Sequence, residues 1–180
     1  MNQDKYVFAQ IVQFLDRNHF NYLVRKYQCD RYIKHYSAWN QLLTLIFGQL
    51  SRSSSWRDCV LTLQAHRSKL YHLGVGKTVT RSNLSKANEH RDYRIFEKFA
   101  YYMIAEARRK RAGDVVGIEA HIYVFDSTII ALCLSFFDWA KFRKKKGGIK
   151  VHTLFDIIAG VATFVHITEP YLLLRLYNQS

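Results

Sequence analysis

The chain has 180 residues, enough for one ordinary domain or two small ones, and 49% of them are apolar, so it buries a core and is no disordered tail. Its 27 Lys and Arg against 14 Asp and Glu leave a net charge of +13. That balance draws a protein to polyanions without separating DNA from RNA or from an acidic membrane. Three widely spaced cysteines, Cys29, Cys59 and Cys133, exclude a disulfide framework and a cysteine metal cluster. The start, Met1-Asn-Gln-Asp-Lys5, lacks a signal-peptide core. No apolar run reaches the ~18–20 residues of a membrane span. A soluble, intracellular protein with reduced core thiols and no membrane partner is expected.

In chain order, residues 4–16 carry Val7, Phe8, Ile11, Val12, Phe14 and Leu15 at helical spacing. A basic aromatic segment follows, Tyr22 to Tyr27 and then Asp30 to Tyr36. Ser37 is placed to cap a helix through Leu50, with Trp39, Leu42, Leu43, Leu45, Ile46 and Leu50 as its apolar set. The polar run Ser51-Arg-Ser-Ser-Ser55 breaks it. Trp56, Cys59, Val60 and Leu63, at i, i+3, i+4 and i+7, predict a helix over about 55–66. A further helical pattern runs from Ser82 to about Arg111, with a candidate interruption at His90-Arg-Asp92. After Arg111 the pattern changes. Gly113 and Gly117 punctuate, and β-type runs follow at about 121–134, 148–158 and 161–168. The fold class is therefore α+β: a helical domain over 1–112, a β domain over 113–169, and a tail over 170–180 that begins at the single proline, Pro170.

Leu73-Gly-Val-Gly-Lys-Thr78 mimics the end of a phosphate-binding loop, but Tyr71 stands where that loop needs another glycine, and the preceding residues look helical. It reads as a glycine turn feeding a helix capped by Thr80 or Ser82. At the start of that helix, Arg81, Ser82, Asn83 and Lys86 carry donors suited to phosphates and base edges. Their place after a turn and another helix suits a helix-turn-helix recognition element. A solvated basic helix start accounts for the same pattern equally. Arg108-Arg-Lys-Arg111 closes the long helix, where cations favour the helix dipole on their own. The run Lys141 to Lys150, with Arg143, Lys144, Lys145, Lys146 and Lys150, reads as a cationic hairpin tip turning at Gly147-Gly148. Such charges repel one another unless a polyanion neutralises them.

His121-Ile-Tyr-Val-Phe-Asp126-Ser-Thr-Ile-Ile130 reads as a buried strand with one carboxylate at its centre. An ionised Asp there is costly unless a metal, a cation or a hydrogen-bond network repays it. Neighbouring backbone N–H groups or a Lys would satisfy it as well as a metal would. In the strand from Ile149 to Ile158, alternation puts Lys150, His152, Leu154 and Asp156 on one face. His152 is a candidate to face the Asp126 site, although a lone strand His more often serves structure.

Cys29 through Leu43, Phe47-Gly-Gln-Leu50, Tyr71 through Lys77, Arg81 through Asn88 and Asp92 through Glu97 resemble the N-terminal domain of a large group of bacterial insertion-sequence transposases. Phe125-Asp-Ser-Thr128, Phe137 through Phe142 and Lys146 through Asp156 look like the start of their DDE catalytic domain. The resemblance runs from about residue 4 to residue 169. It implies an RNase H-like fold in which two Asp and one Glu hold two divalent metals, Mg²⁺ or Mn²⁺, with Asp126 as the first ligand. The later motifs that carry the second Asp and the Glu do not occur here, and Asp138 and Asp156 are not assigned that role. Residues 170–180 depart from the family pattern, as in a remnant cut early in the catalytic domain. The resemblance thus implies a bacterial, nucleoid-associated protein that binds double-stranded DNA at element ends. It would not cut and join DNA by itself, and full-length transposase or a second copy would be its protein partner. An inhibitor of the full-length enzyme and a non-functional remnant are the alternatives.

Overall fold

The computed structural model describes residues 6–72, 74–75, 79–112, 122–132, 141–143, 146–158 and 160–168. The chain divides into two compact units, residues 1–103 and 104–180. The first is helical. Helix α1 spans Val7–Gln13 and α2 spans Arg17–Lys26. The sequence pattern suggests one helix over 4–16 followed by a basic aromatic segment with no helix assigned to it. Asp16 makes the difference: its side chain accepts a hydrogen bond from His19 N at 2.9 Å, which starts a new helix. Phe20, Leu23 and Val24 then supply the buried face of α2 at helical spacing.

Helix α3 (Ala38–Leu50) starts at the expected cap, with Ser37 Oγ accepting from Asn40 N at 3.2 Å. Helix α4 (Trp56–Ala65) is capped reciprocally. Asp58 N donates to Ser55 Oγ at 3.2 Å, and Ser54 N donates to the Asp58 carboxylate at 3.0 Å. Of its expected apolar set, Cys59, Val60 and Leu63 are buried, while Trp56 is exposed. Helices α5 (Arg81–His90) and α6 (Arg94–Ala112) replace the long pattern, parted at residues 91–93 where an interruption was expected. The core of this unit centres on Phe20, whose ring meets Phe99 at 5.0 Å and Trp39 at 5.5 Å, both edge-on. Cys29 and Cys59 are free thiols, half-buried and buried, and Cys133 lies outside the described residues. No helix among the described residues is long and apolar enough to cross a membrane.

The second unit takes the last turns of α6 together with an antiparallel sheet of four strands: β1 (Tyr123–Leu132), β2 (Lys141–Arg143), β3 (Lys146–Asp156) and β4 (Val161–Thr168). The described chain is therefore α+β. Strand β3 pairs with β1 along one edge. Along the other edge it pairs with β2 at its start and with β4 over Lys150–Asp156. Gly147 and Gly148 were expected to form a hairpin turn, but they lie inside β3. Gly147 pairs with both Leu132 and Lys141, so the glycines sit between two flanking strands.

Candidate nucleic-acid interface

Helix α5 presents the residues singled out for DNA contact. Thr80 is its cap, extended at φ −113° and ψ 152°, and its Oγ1 accepts from Asn83 N at 3.2 Å. Leu84 and Ala87 are buried, which turns Arg81, Ser82, Asn83, Ser85 and Lys86 to solvent. The first turn contains no acidic residue to offset the positive N-terminal end of the helix. Around it the unit from residue 1 to 103 carries 16 Lys and Arg against 7 Asp and Glu.

The helix-turn-helix expectation needs correcting. A helix-turn-helix joins its helices by three or four residues, whereas residues 66–80 separate α4 from α5. That connection contains a 3-10 turn at Arg67–Lys69, and it buries Leu70, Val75 and Val79. It is a packed segment of the core, not a tight turn. Gly74 allows it, with φ +78°; an added Cβ would stand 3.3 Å from Leu43 Cδ1. Gly76, Lys77 and Thr78 lie outside the described residues.

Besides Asp58, three carboxylates of this unit are engaged by nearby donors. Asp30 accepts from Ala38 N at 2.8 Å and from Arg91 Nη2 at 3.2 Å. Arg91 also donates to Gln41 Oε1 at 2.8 Å and to the Tyr36 carbonyl, and its side chain is only 5% exposed. Burial lowers the Arg91 pKa, against the attraction of Asp30. Burial also pushes the Tyr36 hydroxyl up to about 12. Asp16 accepts from His19 N and from Tyr102 Oη, the latter at 2.7 Å, and these bonds hold its carboxyl below the usual range. Asp92 pairs with Arg94 and is lowered by that bond. Sequence reasoning had singled out none of these acids. The signal for Asp16 and Asp30 was their position shortly before a helical apolar run.

In the sheet unit Asp126 lies in β1, as expected, but it is exposed rather than buried, and so are all the residues from Ile122 to Thr128. The carboxylate accepts from Thr128 Oγ1 at 3.1 Å. The expected burial fails because the described residues leave this stretch of sheet open to solvent. His152 does not face Asp126 either. Asp126 pairs with Thr153, and Ser127 pairs with His152. Cross-strand partners share a face, so Asp126 and His152 project from opposite sides of the sheet. His152 instead pairs with His166, stacks on Phe125 at 5.7 Å, and bonds Thr168 Oγ1 at 3.1 Å through Nε2. Asp156 is on that same side. It is 1% exposed and lies 3.8 Å from Arg108. The buried carboxylate of the described strands is thus Asp156, at the end of β3 and opposite a helix cation.

Lys150 is half-buried on the His152 side. Arg143 and Lys146 face each other in the β2–β3 register, and their side chains, like Lys144 and Lys145 altogether, lie outside the described residues. So do Asp138 and residues 170–180. Among the described residues no group of three His, Cys, Asp or Glu converges on one point. Asp126 and Asp156 stand on opposite faces, so these two carboxylates do not fit a shared divalent metal.

Residues 3–76 match the model of a domain of unknown function, DUF4372, a domain found in transposase-type proteins. No curated protein and no solved structure matches the chain.

Proposed function

We propose that this chain is a transposase-type DNA-binding protein whose helical unit docks on duplex DNA through the start of α5. The observation that carries the reading is the exposed set Arg81, Ser82, Asn83 and Lys86 on a capped helix end with no first-turn acid. Arg81 and Lys86 supply charge for phosphates. Asn83 supplies a paired donor and acceptor for a base edge. The helix end adds its own dipole. The match of residues 3–76 to a domain of transposase-type proteins supports the reading from outside the site.

We read the second unit as the opening of an RNase H-like domain. Its support is the antiparallel run β1–β3–β4 with Asp126 in the first strand. In that reading Asp126 would offer one carboxylate to Mg²⁺ or Mn²⁺. The described strands bring no second carboxylate to its face, so no catalytic step is assigned to this chain.

The test is equilibrium binding to duplex DNA bearing the element end, followed by fluorescence anisotropy across a range of salt. Contact with about five phosphates gives a slope of log K against log[salt] near −4.5. Charge reversal at Lys144, Lys145 and Lys146 flattens the slope if those residues share the contact. Asn83→Ala lowers the preference for end sequence over random sequence by ~1–3 kcal/mol. Affinity that ignores salt, or no affinity in low salt, refutes the reading. An unchanged sequence preference in Asn83→Ala removes base reading from α5.

A further inference from the structure

The basic aromatic segment between α2 and α3 plays no part in the α5 interface. Its backbone enters the left-handed region at Gln28, φ 51°, and again at Tyr32, φ 64°. That conformation is costly for a residue as bulky as tyrosine, and such outliers concentrate at functional sites. Burial does not repay the cost, because Tyr32 is 86% exposed. The Arg31 guanidinium lies over the Tyr32 ring, 5.0 Å from its centroid, and Arg31 Nη1 donates to Gln28 Oε1 at 3.1 Å. Arg31 also helps to line an open cavity of about 480 Å³ with Val24, Arg25, Gln28 and Asp30. The one acid in that lining is already committed to Ala38 N and Arg91, so Arg25 and Arg31 set the sign of its field. Lys26, Lys34 and His35 are exposed close by in the chain.

An exposed ring backed by a guanidinium and set beside a cationic hollow matches one ligand chemistry, a nucleotide whose base is out of the helix. Stacking on an aromatic ring needs the face of a base, which a paired base keeps inside the duplex. The adjacent cation adds to the stack, and a second arginine suits the attached phosphate. We propose that Tyr32 and Arg31 form a stacking platform for an unpaired base, with its phosphate taken by Arg25 and Arg31 in the neighbouring cavity. The proposal rests on the nucleic-acid reading above and adds to it a second contact, around the end of α2. The protein would then prefer DNA ends that carry unpaired nucleotides over blunt duplex.

The experiment compares a blunt duplex with the same duplex carrying a short single-stranded overhang that contains 2-aminopurine. Anisotropy reads affinity, and 2-aminopurine quenching reads stacking. Tyr32→Asn removes the ring while suiting the left-handed backbone, so the fold is kept. Tyr32→Phe keeps the ring. The overhang should tighten binding about tenfold and quench the probe. Tyr32→Asn should lose both effects and keep blunt-duplex affinity, and Tyr32→Phe should retain all three. Equal affinity for the two DNAs, or an overhang advantage that survives Tyr32→Asn, overturns the platform while leaving the α5 reading intact. Binding to the overhang DNA alone overturns the duplex reading and supports the platform. Binding to neither overturns both.

Discussion

Asp30→Ala tests the central electrostatic element of the helical unit. Arg91 is 5% exposed and Asp30 30% exposed in their ion pair, so removing the acid leaves a nearly buried guanidinium with only the neutral acceptors Gln41 Oε1 and the Tyr36 carbonyl. Breaking a buried pair from one side costs ~3–5 kcal/mol, and the partial exposure of Asp30 puts this case at the low end. The same substitution strips the acceptor from Ala38 N in the first turn of α3, a further ~1 kcal/mol. The expected total is about 4 kcal/mol, or a fall of at least ~15 °C in the thermal midpoint of a unit this size. The assay is thermal unfolding followed by helical circular dichroism and by tryptophan fluorescence, to which the buried Trp39 contributes. In an Arg91→Met background Asp30→Ala should cost clearly less, because the uncompensated charge is gone and only the cap is lost. A change within ~0.5 kcal/mol of wild type, or equal costs in the two backgrounds, would refute the reasoning.

Asp16→Ala should destabilise the helical unit by ~1 kcal/mol at neutral pH through loss of the α2 cap. The folded Asp16 pKa is depressed, first by the His19 N–H and then by Tyr102, so its contribution is present above the unfolded carboxylate value and is lost as pH falls through the lower folded value. Acid titration of stability should therefore be flatter in the variant, and an identical acid limb counts against the bond. Gly74→Ala should cost ~1–2 kcal/mol in urea unfolding, because an alanine at φ +78° is strained and its Cβ crowds Leu43. Incubated with element-end DNA in Mg²⁺ or Mn²⁺, the purified chain should neither nick nor join; nicking that disappears in Asp126→Ala would mean that other residues or a second subunit complete a metal site.

How far the fold could be read from the chain depended on whether a feature was local. Helix starts were legible where a Ser or Thr cap was read ahead of the helix, as at Ser37 and Thr80. Asp16 is an equally local cap. It was hidden because Phe14 and Leu15 extend the apolar pattern of α1 up to it, so only the first of the two helices was read. The α4–α5 connection was misread for the opposite reason. Its anchors Leu70, Val75 and Val79 are spaced like neither helix nor strand, and only packing against the rest of the core identifies them.

The carboxylates show the limit most sharply. Alternation within β3 groups Lys150, His152 and Asp156 without any structure, because the side-chain period of a strand is two. Whether that group shares the side of Asp126 is a separate question, set by the register of β1 against β3. Pairing Ser127 with His152 sends Asp126 to the other side, and a slip of one residue would bring them together. The double glycine was misread separately. Read as a turn, it would shorten β3 at its start, yet β3 runs from Lys146 straight through both glycines and pairs there with β1 and β2. Strands β1, β3 and β4 were legible in the sequence, and β2 was not. The chemistry that Asp126 and Asp156 can share was decided by a register that local composition does not encode.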